Sequence, residues 1–309
     1  MNVTLIVNPY ASSVTPKKRA LVEAALAEGH DLTVVESERR GHVIDLARQA
    51  AASGAQVVAV LGGDGTLNEA ANGLAGTGAA LAALPGGSTN VFARTIGTNR
   101  KLKKAVPQVA AALHNPPQSI GLGNVNGRYF TFHVGMGYDA AVVCKVEQKP
   151  HLKRKLGQAV FVYAALATWA RGVDRKNPCL AVQVGGEAVV EDGYFAICLN
   201  SNPYTYLGVK PLNVAPGDAW FDKPLVNVTL RTLKLFKFLS LLGSTLGRGQ
   251  KLKGHPLVDY RPGLPALSVV APPGAAGFHY QADGDYLGQA ASLDITFEPD
   301  KLLLVVPST

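Results

Sequence analysis

The stretch Val57-Val58-Ala59-Val60-Leu61-Gly62-Gly63-Asp64-Gly65-Thr66-Leu67-Asn68-Glu69 narrows the choice of fold more than any other part of the chain. Its first part is a short, uninterrupted apolar run rich in β-branched residues, the pattern of a strand buried on both faces. A glycine turn follows and opens a helical pattern. Strands of this kind belong to parallel sheets covered by helices, and the first 115 residues keep the same grammar. β-Branched runs at 3–7, 32–35, 56–61 and 80–84 alternate with helical patterns at 16–28, 42–53, 66–75 and 100–113. Sheets of this class bind ligands beyond the carboxyl ends of their strands, so the turns after Val7, Leu61 and Leu84 are the candidate ligand turns.

After His114-Asn115-Pro116-Pro117 the grammar changes. Residues 119–125, the pair Asn126-Gly127 and residues 128–134 predict a β-hairpin with a two-residue turn. Further strand patterns lie at 179–184, 193–199, 225–230, 266–270, 278–282 and 292–297, with helices near 152–171 and 232–246. This predicts an antiparallel sandwich or barrel with a few helices. The expected fold class is therefore α/β + β. Residues 1–117 form a parallel, Rossmann-like α/β domain, and residues 118–300 form a β-rich domain. Residues 301–309 include the strand-like run 302–306, which could return to either domain. A chain of 309 residues has room for two domains of about 150 each.

The glycines of Gly62-Gly63-Asp64-Gly65 let the main chain approach an anion closely, while turn and helix N–H groups point at it. Asp64 is placed to hold a magnesium ion on a polyphosphate or to orient a reacting hydroxyl, and Thr66 to cap the helix and touch phosphate. A tight strand-to-helix turn without a ligand is the competing explanation. The spacing matches neither the G-x-G-x-x-G dinucleotide fingerprint nor a G-x-x-x-x-G-K-[ST] loop. Two further polar turns follow the first and fourth strands: Asn8-Pro9-Tyr10-Ala11-Ser12-Ser13 and Pro85-Gly86-Gly87-Ser88-Thr89-Asn90-Val91-Phe92-Ala93-Arg94. Three polar turns on one sheet edge predict a cleft there.

Gly62–Asn68 as G-G-D-G-T-L-N, preceded by Asn8-Pro9 and followed by P-x-G-S-x-N-x-F-A-R, resembles the diacylglycerol kinase catalytic-domain family. That family includes bacterial diacylglycerol kinases and sphingosine kinases, and NAD kinases share its G-G-D-G-T turn. A late Gln281-Ala282-Asp283-Gly284-Asp285 resembles the family's D-G-E. The resemblance implies a soluble enzyme that uses ATP and Mg2+ to phosphorylate a lipid hydroxyl, in a cleft between an α/β and a β-rich domain. It places Asn8, Pro9, Tyr10, Ala11, Ser12, Ser37, Gly62, Gly63, Asp64, Gly65, Thr66, Leu67, Asn68 and Ser88 on ATP, and Asp285 on the general base. A base is required because a lipid hydroxyl is a poor nucleophile; a plain hairpin turn is the alternative at Asp283-Gly284-Asp285. The family's second magnesium site maps to Asp222 with the carbonyls of Ala219 and Pro224, where a metal-free surface turn is the alternative. Six positions depart from the family pattern: Ser12-Ser13 for small glycines, Ser88 for Thr, Val91 for Asp, Asp285 for Glu, and Lys223 for the Gly after Asp222.

Thirty Lys+Arg against 22 Asp+Glu give a net charge of +8, which calls for an anionic partner. No helix-turn-helix, zinc finger or RNP-like platform supports nucleic acid. The charge gathers in two basic-apolar segments. One is the run 149–155, which leads into the uncharged stretch 156–170, too short for the roughly 20 residues of a membrane span. The other is 223–258, with seven Lys/Arg and no acid, including Leu233-Lys234-Leu235-Phe236-Lys237-Phe238-Leu239-Ser240-Leu241-Leu242. Such a helix suits an anionic bilayer surface, where a lipid kinase without a span must meet its substrate; a solvated basic face over a buried stripe is the alternative. The cysteines, Cys144, Cys179 and Cys198, form neither a disulfide framework nor a zinc spacing. The start MNVTLIVNPYA reads as a strand and not as a signal peptide. These features predict a cytoplasmic protein associated peripherally with the inner membrane face, with homodimerisation left open. His30, His42, His133 and His279 show no metal-ligand spacing, and His42 could lie near the nucleotide. The expected activity is phosphoryl transfer from ATP to diacylglycerol or a related long-chain alcohol, giving phosphatidic acid. An NAD kinase-like enzyme and a non-catalytic lipid or nucleotide sensor are the alternatives.

Overall fold

Strand and helix alternate from the amino terminus as the hydrophobic pattern dictates: β1 (Asn2–Val7), α1 (Pro16–Ala27), β2 (Asp31–Glu36), α2 (His42–Ala52), β3 (Val57–Gly62), α3 (Asp64–Leu74), β4 (Ala80–Pro85), α4 (Val91–Thr95) and α5 (Leu102–Ala112). The computed structural model describes residues 1–148, 159–245 and 252–307. Two units are present, Met1–Leu122 with Pro299–Thr309, and Gly123–Glu298. In the first, β2, β1, β3 and β4 pair in parallel in that order. Both faces are covered. Val3, Leu5, Ala59, Leu61 and Leu84 pack against Val22 and Leu26 of α1 and Val106 and Val109 of α5, while α2 and α3 lie against the same strands from the other side. Every residue of β3 and β4 is buried, which explains why those runs read as continuous rather than alternating. The α1 start is fixed by Thr15, whose hydroxyl accepts the Lys18 N–H at 3.3 Å, with Pro16 in the first turn. The carboxyl-terminal strand returns to this sheet, with Leu303 and Leu304 pairing in parallel with Ala80 and Leu81.

From β5 (Gln118–Val125) onward the order is β6 (Arg128–Phe130), β7 (His133–Gly137), α6 (Tyr138–Glu147), α7 (Ala159–Arg171), β8 (Leu180–Val184), β9 (Glu187–Gly193), β10 (Phe195–Leu199), β11 (Thr205–Leu207), β12 (Lys210–Leu212), β13 (Leu225–Leu230), α8 (Leu235–Thr245), β14 (Val258–Leu264), β15 (Ala266–Val270), β16 (Phe278–Ala282), β17 (Asp285–Ala290) and β18 (Ser292–Leu304). In the second unit β14, β13, β10, β7, β16 and β17 form an antiparallel sheet. A further antiparallel group joins β9, β8, β15 and residues 292–296 of β18. Alternate residues of the two groups share one core, Val134, Met136, Ala196 and Cys198 from one and Leu180, Val182, Leu267, Val269, Leu293 and Ile295 from the other. This is the sandwich pattern of inward and outward alternation. The other face of the six-stranded sheet is also apolar: Ile197, Leu199, Val226 and Val228 pack against Tyr138 and Val142 of α6, Ala164 of α7 and Phe238 and Leu241 of α8. Burial on both faces explains why β10 and β13 read as continuous apolar runs.

Several elements depart from the sequence expectation. The predicted strand 128–134 is two strands, β6 and β7, in different sheets. Its break lies at Thr131–Phe132, where consecutive backbone N–H groups turn onto the carboxylate of Asp283. Helix α6 follows β7 directly where no helix was predicted, because its buried face of Tyr138, Val142 and Val146 is interleaved with small residues and gives little periodic signal. Strand β14 carries Asp259 and Arg261, charges that pair with each other at 2.7 Å and mask its period. The basic run 149–155, together with 156–158 of the predicted helix at 152–171, and residues 246–251 with Arg248 and Lys251 lie outside the described residues.

Candidate active site

The three predicted ligand turns lie side by side at the carboxyl ends of β1, β3 and β4. Gly86 N–H donates to the Gly62 carbonyl at 2.7 Å, Asn8 N–H to the Leu61 carbonyl at 3.0 Å, and Ser13 N–H to the Gly86 carbonyl at 2.9 Å. Side chains complete the joint: Asn8 Nδ2 donates to Thr66 Oγ1 at 2.9 Å, the Ser12 and Ser88 hydroxyls are 3.0 Å apart, and Ser13 Oγ donates to the Gly87 carbonyl at 3.2 Å. The backbones of Gly63 and Gly87 touch, since a Cβ on Gly87 would stand 2.7 Å from the Gly63 Cα. The glycines are therefore required by the contact between turns as well as by any ligand. Gly87→Ala is expected to cost about 1–3 kcal/mol of stability, because the added methyl would stand 2.7 Å from the Gly63 Cα, which is backbone, and 3.2 Å from Asn90 Oδ1. A urea melt of the variant checks this; an unchanged midpoint refutes the close approach.

Asp64 begins α3, with Gly63 as the capping residue. One oxygen of its carboxylate, Oδ1, accepts the Phe92 N–H at 3.0 Å at the start of α4. Thr66 does not cap α3, contrary to expectation. The helix begins two residues earlier than predicted, so Thr66 sits inside the first turn and its hydroxyl takes the Asn8 amide instead. Leu67 and Asn68 are fully buried, Asn68 against Asn72, so they support the helix from within. Pro9, Tyr10 and Ala11 form the outer part of the first turn, held by the Tyr10 N–H on Asn8 Oδ1 at 3.0 Å, and Tyr10 is exposed. Ser37 is buried beside that turn, its N–H on the Val7 carbonyl at 3.0 Å. His42 Nδ1 accepts the Glu38 N–H at 3.1 Å at the start of α2.

Sequence reasoning missed three supports of these turns. Asn90, with φ 52°, both accepts from the Gly87 N–H at 2.8 Å and donates to the Gly87 carbonyl at 2.9 Å, closing the third turn on itself. Its left-handed backbone is one that Asn tolerates better than most residues. Glu69 is buried, and its carboxylate caps α2 by accepting the Gly41 and Val43 N–H groups at 2.8 and 3.2 Å. Lys18 Nζ donates to the Ser13 carbonyl at 2.6 Å, which brings an ammonium to the first turn.

In the second unit Asp283 and Gly284 have φ of 50° and 83° and form the two-residue turn between β16 and β17. The two acids around that turn differ completely. Asp283 is buried and accepts four hydrogen bonds, from Thr131 N–H at 2.6 Å, Thr131 Oγ1 at 2.7 Å, Phe132 N–H at 2.9 Å and His133 N–H at 3.0 Å. Burial pushes its carboxyl upward from the usual range, and these donors oppose the shift. Asp285 opens β17 and is partly exposed, with Oδ2 at 3.6 Å from Arg128 Nη2. The next residue is fixed by Glu147 of α6, whose Oε1 accepts the Tyr286 N–H at 3.2 Å.

A buried polar layer adjoins the turn. Asp139 accepts from the Tyr204 hydroxyl at 2.5 Å and from Gln281 Nε2 at 2.7 Å, and burial raises its carboxyl. Gln281 Oε1 in turn accepts the Gly284 N–H at 2.8 Å. His133, whose ring centroid is 4.4 Å from that of Tyr204, is pushed down by burial to about 3 and is neutral at pH 7.

The loop 217–224 holds the predicted second magnesium site. Asp222 is exposed, while Ala219 is buried. Protein cations already serve neighbouring oxygens: Lys223 Nζ donates to the Gly217 carbonyl at 2.7 Å, and Lys253 Nζ lies 3.3 Å from Asp218 Oδ2. One exposed carboxylate and the carbonyls of Ala219 and Pro224 would leave about half of an octahedral magnesium's positions to water.

Residues 2–124 match the family model described as diacylglycerol kinase catalytic domain. A probable lipid kinase YegS-like protein of Pseudomonas fluorescens is 28% identical over 301 residues, 88% of this chain and 93% of its own length. A diacylglycerol kinase of Bacillus subtilis is 34% identical over 136 residues, 43% of each chain. Among solved structures, a diacylglycerol kinase from Bacillus anthracis str. Sterne has the same fold, with a TM-score of 0.72 at 18% identity over 99% of this chain and 96% of that one. Yeast NADH kinase shares the fold more distantly, with a TM-score of 0.52 at 10% identity over 100% and 84% of the two chains. With the glycine turn at the end of β3 inside the matched region, residues 2–124 resemble a diacylglycerol kinase catalytic domain, and the relatives that span most of the chain carry the names of lipid kinases, which are phosphotransferases.

Proposed function

We propose that the protein transfers the γ-phosphoryl group of ATP to the hydroxyl of diacylglycerol, or of a closely related long-chain lipid alcohol, giving phosphatidic acid. The observation that carries this is the contact of Gly63 with Gly87 beside Asp64, which leaves two side-chain-free backbones at the carboxyl end of a parallel sheet. Backbone N–H groups at such an edge cradle phosphate oxygens without steric cost. The nucleotide's phosphates are assigned to the turns 8–13, 62–66 and 86–88, with Lys18 adding positive charge. Magnesium carried by ATP would supply neutralisation of the charge on the transferring group. Asp64 is the carboxylate of these turns able to orient that complex, magnesium being commonly held by one or two carboxylates together with substrate phosphates. Asp285 is assigned as the base that takes the proton of the acceptor hydroxyl, and Arg128 as the group that orients it. Asp283 is a positioning residue, holding the turn on which Asp285 stands.

The acceptor surface is proposed to be an anionic membrane met from the cytoplasmic side, without nucleic acid. No helix among the described residues is long and apolar enough to cross a bilayer, so contact with lipid falls to surface residues. Incubation with γ-labelled ATP, magnesium and, in parallel, diacylglycerol, monoacylglycerol, sphingoid base, polyprenol or NAD, followed by phase partition, tests the assignment. Label is expected in the organic phase with diacylglycerol as the best acceptor. Label confined to the aqueous dinucleotide would overturn it in favour of an NAD kinase-like activity, and label in none would favour a sensor.

A further inference from the structure

Helix α8 buries one apolar face inside the protein and leaves two large apolar side chains on the opposite side. Phe238 and Leu241 are buried in the core shared with α6 and the six-stranded sheet, the Phe238 ring lying 5.3 Å from that of Tyr138. On the outward stripe, at i, i+3, i+4 and i+7 spacing, stand Phe236, Leu239, Ser240 and Gly243, with Phe236 86% and Leu239 44% exposed. A phenylalanine left almost wholly in water is unfavourable unless something covers it. Helix α7 repeats the feature with Tyr163 at 51% and Leu166 at 53%. Helix α7 is tied to the segment leading into α8, because the Trp169 indole N–H donates to the Leu233 carbonyl at 2.8 Å. Each of these exposed residues lies within six residues of Trp169 or Leu233 in the chain.

The charge around the stripe identifies what covers it. Lys234 and Lys237 are exposed beside Phe236, and among the described residues neither forms an ion pair. No acid occurs anywhere in 223–258. A partner of protein surface would bring mixed charge. An anionic bilayer instead offers a negative plane for the ammonium groups directly above an apolar layer for the rings. We propose that α8, with the outward face of α7, is the membrane-docking element of this protein, Phe236 and Leu239 entering the acyl boundary and Lys234 and Lys237 resting on acidic headgroups. This rests on the lipid-kinase function proposed above and assigns it a place of contact.

Co-sedimentation of the full chain with vesicles of phosphatidylcholine, with or without about a third phosphatidylglycerol, tests it. The wild type is expected to bind the anionic vesicles and to be released by salt. The double variant Phe236→Ser/Leu239→Ser and the double variant Lys234→Glu/Lys237→Glu are each expected to partition at least about tenfold more weakly. Both should keep the wild-type circular dichroism and the rate on detergent-dispersed diacylglycerol, since these side chains face solvent. Equal binding by wild type and variants overturns the inference, as does equal wild-type binding to neutral and anionic vesicles. Unchanged vesicle binding with a dimer-to-monomer change in light scattering overturns it too, and assigns the stripe to a second copy of the chain. Salt-sensitive vesicle binding without phosphorylation of any lipid would leave the docking face standing and remove the proposed reaction instead.

Discussion

Asparagine at either Asp64 or Asp285 is expected to lower kcat for lipid phosphorylation by about 10²–10⁴-fold, with little change in unfolding. The two substitutions are informative because each removes charge and leaves shape. At position 64 the amide oxygen can still accept the Phe92 N–H, so the start of α4 is preserved. What is lost is the negative charge beside the glycine turns. At position 285 an amide can still occupy the start of β17 beside Arg128, but it accepts no proton. Asp285→Glu restores a carboxylate one methylene longer and should retain activity, which separates loss of the base from disturbance of the hairpin. A kcat within threefold of wild type for both asparagine variants would remove these residues from the chemistry.

Asp283→Ala should instead strike the fold, lowering the unfolding free energy of the second unit by about 3–5 kcal/mol. The carboxylate satisfies three backbone N–H groups and one hydroxyl in a buried place. Alanine strands all four donors where water does not reach. Asp283→Asn, which keeps one acceptor oxygen, should lose less. Denaturant melts followed by fluorescence measure both; a melt for the alanine variant that overlays the wild type would show that water replaces the carboxylate at no cost. Activity should fall with stability in this variant, because the turn that fails is the one holding Asp285.

The neighbouring acids show where sequence reasoning reaches its limit. Asp283-Gly284-Asp285 reads as one acidic turn, and the left-handed pair at 283 and 284 is what a two-residue hairpin asks for. Which acid is buried depends on which face of the sheet each meets, and that is set by pairing with β7, a strand 150 residues away. The same pairing explains the break in the predicted strand 128–134. The segment is apolar enough to be one strand, but its N–H groups at 131, 132 and 133 all turn to one carboxylate. Thr66 was legible as a polar residue of the glycine turn but not as the partner of Asn8, because the two are 58 residues apart and only parallel pairing of β1 with β3 joins them. Glu69 reads as an ordinary helix residue. It is a cap for α2 only because α2 and α3 pack together.

By itself the sequence determined the parallel first half, the sandwich pattern of the second and the glycine turns at the sheet edge. These follow from local periodicity and from glycine's backbone freedom, which neighbouring residues alone express. The tertiary structure decided which groups are buried partners and which are exposed: Asp283 in the core and Asp285 beside Arg128, Phe238 inward and Phe236 outward, two residues apart on the same helix. Those distinctions depend on contacts between residues far apart in the chain. Burial there changes the cost of a charge or a ring by several kcal/mol while leaving the local pattern unaltered.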